Sequence, residues 1–272
     1  MRDCLRYVAV TVSLALLLVS NVFASEQAWR IEAVGQTDQA RIFYRVAGEG
    51  PPLFLLHGYF GQGNQWLKYV DDFADDFTVI APDLPGHGRS DAIGRHFDPA
   101  TAAQAFWQLA DQLSFDEVSV IGYSAGGMTG LAMAVQQPSR VRALILAASA
   151  RTAGGSMATR QWEDLPPPFQ ADMLRNHPGG IPQVRKLLSA HDIPAISLES
   201  VKALQVPVLM VAGDRDESFP MPVLLETYQA LPDAWLWIEP NLGHNLFWAE
   251  WGGSAALEAA FPQKATRFLL QD

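Results

Sequence analysis

A serine between two glycines is the first feature of this 272-residue chain that could do chemistry. The segment Gly122-Tyr123-Ser124-Ala125-Gly126 fits the pattern G-x-S-x-G, whose glycines permit a tight turn that exposes the serine hydroxyl. The pattern alone is weak evidence, because glycine is abundant and Ser124 could simply cap a helix. Its context adds weight: a strand-like run at 118–121 precedes it and a helical pattern at 125–136 follows. This strand–turn–helix setting predicts a nucleophilic serine.

A serine hydroxyl needs an adjacent base at neutral pH, and a histidine is suited to that task because its pKa lies close to neutrality. A carboxylate must then orient the imidazole and stabilise its charged form. Among six histidines, His244 follows a late strand and a glycine, so it is the predicted base. Asp214, Asp216 and Glu217 all follow the apolar strand at 208–212. The residues themselves leave the choice of acid among these three open.

The elements around these residues alternate between two hydrophobic periods, one typical of strands and one typical of helices. Strands separated by helices in this way indicate βαβ units and a mostly parallel sheet flanked by helices, the α/β class. A proline at position 262 is predicted to divide the last helical stretch into two helices. The predicted strands lie at 40–47, 52–56, 78–81, 117–121, 141–147, 208–212 and 234–238. The first of these alternates as a half-buried strand would.

The segment 151–203 interrupts this alternation. It contains six prolines and only short helical patterns, at 169–175 and 184–190. A long stretch without a strand, inserted between two strands of one sheet, is usually functional. The alternative is a disordered insertion, but the segment is too apolar for that, and we expect a small helical cap. Its large apolar side chains are Trp162, Phe169, Met173, Leu174, Leu187 and Leu188.

Four motifs in addition to the serine turn make the chain resemble the α/β-hydrolase superfamily, in its serine hydrolase or esterase branch. They are the loop His57-Gly58-Tyr59-Phe60-Gly61, the turn from Asp83 to Ser90, the segment Gly213-Asp214-Arg215-Asp216 and the pair Gly243-His244. They occur in the family's order, with serine first, acid second and histidine last. The resemblance implies an α/β-hydrolase fold over nearly all of the chain after its N-terminal segment.

The resemblance also assigns roles. It implies that Asp216 is the acid and that the backbone N–H groups of Ala125 and Tyr59 form an oxyanion hole. It makes His57 a residue that braces the loop. His87 is interpreted as part of a turn, and His96, His177 and His191 are expected at the surface. Phe60 is an alternative to Tyr59 as the second oxyanion donor.

The resemblance predicts hydrolysis of a small carboxylic ester through an acyl-enzyme intermediate. The serine argues against the family's haloalkane dehalogenases and epoxide hydrolases, which use a carboxylate nucleophile. Alternatives within the fold are a carbon–carbon bond hydrolase, an aminopeptidase and a cofactor-free perhydrolase, and outside catalysis a hydrolase-fold binding protein. Aromatic residues and methionines in the cap and near the acid and histidine suggest an apolar pocket, although a cap needs such residues for its own core. The sequence shows no paired His/Cys spacing and no dinucleotide motif, so we expect neither a metal nor a cofactor.

The net charge of −10, without a basic cluster, argues against nucleic acid or an anionic membrane surface as the main partner. A small-molecule substrate and a monomer are expected, in one domain at 25–272. The first 24 residues resemble a signal peptide, with Arg2 and Arg6 before an apolar run at 8–19 and small residues before a cleavage site after Ala24. The run is shorter than the roughly 20 residues of a membrane span, so no anchor is expected after cleavage. The mature protein would be extracytoplasmic, periplasmic or secreted.

Overall fold

A single mostly parallel sheet organises the computed structural model, which describes residues 29–154, 162–165, 167–189 and 193–271. The described residues contain eight strands in the order β1-β2-β4-β3-β5-β6-β7-β8. The β1–β2 and β2–β4 pairs are antiparallel and the other pairs are parallel. The strands are β1 Ile31–Gln36, β2 Arg41–Ala47, β3 Pro52–Leu56, β4 Thr78–Pro82, β5 Val118–Tyr123, β6 Val141–Ala147, β7 Val208–Gly213 and β8 Ala234–Glu239. The predicted fold class is therefore confirmed, whereas the predicted signal peptide lies outside the described residues.

Helices cover both faces of the sheet. They are α1 Val70–Ala74, α2 Pro99–Gln112, α3 Ala125–Gln136, α4 Pro167–Asn176, α5 Gly180–Leu188, α6 Leu198–Lys202, α7 Met221–Ala230 and α8 Ala255–Leu269. Buried side chains of α2, α3 and α7 form one hydrophobic cluster with one face of the sheet, and those of α1 and α8 form a second cluster with the other face. Because both faces are covered, β5 and β7 are buried along their whole length, as parallel strands usually are. No described helix has the length and apolar character that crossing a bilayer would require.

The last helix differs from the prediction, because α8 runs without interruption from Ala255 to Leu269 with Pro262 inside it. A proline within a helix removes one backbone hydrogen bond and costs about 3 kcal/mol. Phe261, Ala265 and Leu269 are buried against the sheet on the same helix. We attribute the continuity of α8 to this packing, which requires both halves of the helix to present one apolar face.

The strand β2 has buried residues on both of its faces, whereas its alternating sequence predicts a strand with one exposed face. The difference is clearest at Arg45, which the pattern places on the exposed face. Its side chain is only 3% exposed and its guanidinium lies 3.0 Å from Asp83 Oδ1. The same carboxylate accepts backbone N–H groups from Gly63, at 2.7 Å, and Arg89, at 2.8 Å. A buried charge is tolerated when it is paired and hydrogen-bonded. This ion pair therefore fixes the turn that follows β4.

The described residues between β6 and β7 contain helices and no strand, in agreement with the predicted helical cap. Trp162, Leu165, Met173, Val184 and Leu188 form a cluster of their own, against which Phe60 and Phe169 pack. This small core is separate from the two clusters on the sheet faces. Residues 155–161, 166 and 190–192 are outside the described part, so the cap limits of 151–203 stay a prediction.

Candidate active site

Ser124 occupies a strained turn between a buried strand and a buried helix. Strand β5 ends at Tyr123 and α3 begins at Ala125, while Ser124 itself has φ 54° and ψ −120°. Such backbone angles cost about 1–3 kcal/mol in a residue other than glycine and persist only where neighbours hold them. Here the Ser124 N–H donates to Ala147 O at 2.9 Å, and the Ser124 carbonyl accepts the Ser149 hydroxyl at 2.8 Å. The turn is therefore fixed from the adjacent strand β6.

The two glycines of the motif allow close backbone approach, and the positive φ lies on the serine. A Cβ on Gly126 would lie 2.3 Å from Leu56 O and 2.5 Å from His57 O. A Cβ on Gly122 would lie 2.4 Å from Gly126 O. Neither distance is possible for real side chains, and backbone atoms cannot move aside cheaply. The glycines thus let α3 pack directly against the end of β3.

His244 connects Ser124 to Asp216. Its Nε2 lies 3.0 Å from Ser124 Oγ, and its Nδ1 lies 2.9 Å from Asp216 Oδ2. The other carboxylate oxygen, Asp216 Oδ1, accepts the backbone N–H groups of Ser218, at 2.8 Å, and Phe219, at 3.0 Å. A carboxylate only accepts hydrogen bonds, so Nδ1 carries the proton and Nε2 is left to accept the serine hydroxyl proton. The three groups have the arrangement that a nucleophile, a base and an orienting acid require.

Asp214 and Glu217, the two other acids considered from sequence, lie apart from the histidine. Asp214 Oδ2 is 3.7 Å from the Nε of its neighbour Arg215. Glu217 is exposed to solvent. The structure therefore brings Ser124, His244 and Asp216 together, and it does not bring Asp214 to the imidazole.

Two aromatic side chains flank the imidazole of His244, a contact that the sequence did not predict for either of them. Phe219 stacks on it, with ring centroids 5.8 Å apart and an interplanar angle of 17°. Tyr123 lies 5.2 Å away, and its hydroxyl donates to the backbone carbonyl of His244 at 3.0 Å. Burial raises the pKa of Tyr123, which keeps its hydroxyl protonated as a donor. Tyr123 is the variable residue of the serine motif, so the pattern itself carries no signal for this contact.

The loop after β3 approaches the serine, as the oxyanion-loop resemblance implies. A Cβ on Gly58 would lie 3.3 Å from Ser124 Cβ, and Tyr59 and Phe60 line the same cavity as Ser124. Phe60 has a positive φ of 65°, which marks a sharp reversal of the chain. On the opposite side, Ala125 is the first residue of α3, where backbone N–H groups have no acceptor within the helix.

The remaining histidines have structural positions. His57 donates from Nδ1 to Gly58 O at 2.7 Å and accepts the Leu84 N–H on Nε2 at 2.8 Å, which confirms the predicted brace. Burial lowers the pKa of His57 to about 4, so the ring is neutral. His87 lies in its turn, 3.2 Å from Pro85 O, as predicted. His96 is exposed, as predicted, whereas His191 lies outside the described residues.

The expectation that His177 lies at the surface is wrong. Its side chain is fully buried, and its Nδ1 donates to Met173 O at 2.8 Å. The ring packs 6.0 Å from that of His87, between the helical cap and the turn after β4. Burial lowers the pKa of His177, and also that of His87. No group of three or more His, Cys, Asp or Glu side chains is placed to hold a metal ion among the described residues.

A cavity of about 570 Å³ opens above Ser124 and His244. Its volume is in the range of small-molecule sites. Its lining combines aromatic side chains with side-chain amides. The aromatic side chains are Tyr59, Phe60, Tyr123, Phe169, Trp248 and Trp251, and the amides are Gln62, Asn64, Gln65, Asn176 and Asn245.

Comparisons with known proteins agree with this fold. The family model described as alpha/beta hydrolase fold matches residues 51–178. A Bacillus subtilis (strain 168) protein named as a 2-succinyl-6-hydroxy-2,4-cyclohexadiene-1-carboxylate synthase is 27% identical over 75% of this chain and 88% of its own length. The soluble epoxide hydrolase of Corynebacterium sp. (strain C12) is 38% identical over 39% of this chain and 37% of its own length. The crystal structure of the esterase RhEst1 from Rhodococcus sp. ECU1013 has a TM-score of 0.71 at 21% identity, covering 89% of this chain and 98% of the esterase.

The match to the family model covers β3 to β6 with the serine turn, and it ends before Asp216 and His244. The chain therefore has the α/β-hydrolase fold, and the family that residues 51–178 resemble consists of hydrolases of that fold. The match to the epoxide hydrolase covers only 37% of that protein, so its activity is not carried over to this chain.

Proposed function

We propose that this protein is a serine hydrolase that cleaves small carboxylic esters. The observation that carries the proposal is the continuous hydrogen-bonded line from Ser124 Oγ through His244 to Asp216, with distances of 3.0 Å and 2.9 Å. A neutral serine hydroxyl becomes an effective nucleophile when such a base accepts its proton during attack. Esters are the substrates that this arrangement needs least additional help to cleave, because an alkoxide or phenoxide leaves more easily than an amine.

The proposed reaction has two stages. Ser124 Oγ attacks the ester carbonyl while His244 Nε2 takes the hydroxyl proton, and the imidazolium formed is stabilised by Asp216. The oxyanion lies toward the N–H groups of Ala125 and of Tyr59 or Phe60. Collapse of the tetrahedral species breaks the ester bond, and His244 returns the proton to the departing alcohol. In the second stage His244 Nε2 takes a proton from a water that attacks the acyl-enzyme. It then returns that proton to Ser124 Oγ as the bond between serine and acyl group breaks and the carboxylic acid leaves.

The alternatives differ in what they require of the site. The match to the epoxide hydrolase covers only part of the chain. The turn between β5 and α3 carries a serine, whereas the epoxide hydrolases of this family use a carboxylate nucleophile. The named product of the Bacillus subtilis relative carries a carboxylate, whereas the described residues that line the cavity include no lysine or arginine. A binding protein without catalysis would not need a serine held at strained angles within reach of an imidazole. These comparisons disfavour an epoxide hydrolase, a synthase of that product and a binding protein without catalysis.

The test is hydrolysis of p-nitrophenyl acetate together with labelling by a fluorophosphonate, which reacts with activated serines. The wild-type protein is expected to release p-nitrophenol and to gain the label on the peptide that contains Ser124. Ser124→Ala should lose both, with its circular dichroism unchanged, because the substitution removes only one hydroxyl. Ser189→Ala, at an exposed position, is the matched control and should retain both. Labelling at another serine, or activity in Ser124→Ala, would overturn the proposal.

The biological setting belongs to the same proposal. We infer a monomer that works without a cofactor on a small molecule outside the cytoplasm, since the N-terminal segment has the charge and apolar pattern of an export signal. N-terminal sequencing of protein from its native host should begin at Ser25. A sequence that begins at Met1 would contradict export with cleavage.

A further inference from the structure

The cavity above Ser124 is lined by two chemically different groups of side chains and by almost no charged ones. Its aromatic lining includes Trp248 and Trp251, and the ring of Phe169 contacts that of Trp251 with centroids 6.4 Å apart. The ring of Trp248 packs in turn on Tyr123 at 4.7 Å. Flat apolar groups of a ligand gain both area burial and ring contacts against such a surface. This aromatic surface fits a ring or a short acyl chain of the ligand.

The amide side chains of the lining offer neutral hydrogen-bond donors. Asn64 Oδ1 accepts the indole N–H of Trp29 at 2.9 Å, and Gln65 Oε1 accepts the Gly58 N–H at 3.3 Å. These bonds orient each amide so that its NH₂ group is the remaining half, and among the described residues neither NH₂ group has an acceptor. Both side chains are half-buried and line the cavity. A ligand with carbonyl, ether or hydroxyl oxygens could occupy these donors.

The charges beside the cavity cancel. Asp172 is the only carboxylate among the described lining residues, and these residues include no lysine or arginine. Arg175, which does not line the cavity, pairs with Asp172 Oδ1 at 2.9 Å, and Asn176 donates to its Oδ2 at 3.3 Å. Asp172 and Arg175 therefore add almost no net charge at the mouth of the cavity. An ionic ligand would lose hydration on entering without gaining a counter-ion, whereas an uncharged one would not.

We propose that this site selects uncharged esters, with an apolar ring or chain against Trp248 and Trp251 and oxygen acceptors toward Asn64 and Gln65. The inference rests on the proposed ester hydrolysis and adds the chemical class of its substrate. It assigns selectivity to the neutral walls of the cavity and to the balance between Asp172 and Arg175. Anionic and cationic esters of the same shape are disfavoured substrates.

Three esters of nearly equal shape test this. They are 4-acetoxybenzamide, 4-acetoxybenzoate and 4-acetoxybenzamidine, which are neutral, anionic and cationic. Each kcat/KM is divided by the rate constant of the same ester with hydroxide, which removes differences between the leaving groups. The neutral ester should exceed both ions by at least about tenfold, because each ion loses hydration without compensation. An ion that reacts within threefold of the amide, or faster, would overturn the inference.

Binding is measured separately so that the two proposals can fail independently. The Ser124→Ala protein is titrated with the corresponding 4-acetamido ligands, and isothermal titration calorimetry measures binding. Tighter binding of the neutral ligand without any hydrolysis by the wild type would support the selectivity and overturn the ester hydrolase. Hydrolysis without a preference among the three esters would support the ester hydrolase and overturn the selectivity.

Two substitutions shift the local charge in opposite directions. Asp172→Asn leaves Arg175 without its partner, and because the guanidinium is largely exposed, the preference for the neutral over the anionic ester should fall by about threefold. Arg175→Gln leaves Asp172 negative, so the preference over the cationic ester should fall by a similar factor. Asp233→Asn, at an exposed position, changes the net charge by the same amount as Asp172→Asn and should leave both ratios within twofold. Equal effects of all three substitutions, or none at Asp172, would overturn the assignment to this pair.

Discussion

The hydroxyl of Tyr59 donates a hydrogen bond to the backbone carbonyl of Leu187, 3.1 Å away, and so joins the loop after β3 to helix α5. The Tyr59 ring also packs on Phe60 and His87, with centroids 4.7 Å and 4.8 Å away. Burial raises the pKa of Tyr59, so the hydroxyl remains a donor at neutral pH. The loop that we assign to the oxyanion hole is thus held from the side of the helical cap.

Removing this hydroxyl tests the connection. Tyr59→Phe keeps the ring and the backbone N–H but leaves the Leu187 carbonyl without this donor, so the free energy of unfolding should fall by about 1 kcal/mol. Urea unfolding measures the change. Tyr228→Phe is the control, because the hydroxyl of Tyr228 makes no hydrogen bond to the described part of the chain, and it should have little effect. Loss of all ester hydrolysis in Tyr59→Phe would contradict a role for the backbone rather than the hydroxyl.

The two aspartates near the histidine should differ by orders of magnitude in their effect on turnover. Asp216→Asn keeps the shape but replaces the acceptor of the His244 Nδ1 proton, so kcat should fall by up to about 10⁴. Asp214→Asn should change kcat by less than threefold, since Asp214 lies away from the imidazole. Steady-state kinetics with p-nitrophenyl acetate measures both. The reverse order would transfer the acid role to Asp214.

The buried histidines should make the protein less stable in mild acid. The pKa of His57 is about 4 in the folded protein, whereas an unfolded histidine has a value of about 6.5. Between these values the unfolded chain binds more protons, so stability is full above about pH 6.5 and falls as the pH drops toward 4. The lowered pKa values of His87 and His177 act in the same direction.

Urea unfolding at pH 7 and pH 5 measures this dependence. We expect His57 alone to lower the free energy of unfolding by about 2 kcal/mol at pH 5 relative to pH 7. His57→Gln should reduce that difference, while His96→Gln, at an exposed position, should leave it unchanged. Equal stability of the wild type at the two pH values would contradict the neutral state of these rings.

The second glycine of the serine motif should be far more sensitive to substitution than a glycine in an open loop. Gly126→Ala would place a Cβ 2.3 Å from Leu56 O, so α3 would have to move away from β3, and the cost should exceed 3 kcal/mol, at the upper end of single substitutions. Gly94→Ala meets nothing within 4 Å and costs only the strain of its φ of 68°, about 1 kcal/mol. Thermal unfolding of the two variants compares them. Similar stabilities would show that the close approach is not required.

Sequence reasoning succeeded where local patterns determine the structure. The apolar runs of the central strands predicted the sheet, and the motifs predicted which serine, aspartate and histidine would meet. Strand β1 was missed because Ile31 and Val34 are exposed and its pattern resembles an irregular segment. Helix α6 was missed because its five residues carry too little periodicity.

Other features depend on partners that are distant in the sequence. The sequence predicts an exposed Arg45, because its buried partner Asp83 lies 38 positions later in the chain. His177 reads as a surface histidine because the cap buries it only by packing on the turn of His87. The contact of Tyr59 with Leu187 spans 128 positions, and no local pattern signals it. Such pairings are visible only once the cap and the sheet are assembled.

The parallel register of the central strands has a consequence for how this protein acquires its activity. Ser124 follows β5 and Asp216 follows β7, and β6 lies between them, with Tyr123 opposite Ala147 and Ala147 opposite Val211. A register slip of two residues on either side of β6 would displace the groups by about 7 Å along the strands, more than twice a hydrogen-bond length. No fragment that lacks this central trio of strands can contain the nucleophile and its acid in contact. During refolding, the return of turnover therefore reports completed strand pairing, and it cannot precede the long-range contacts that make parallel sheets slow to form.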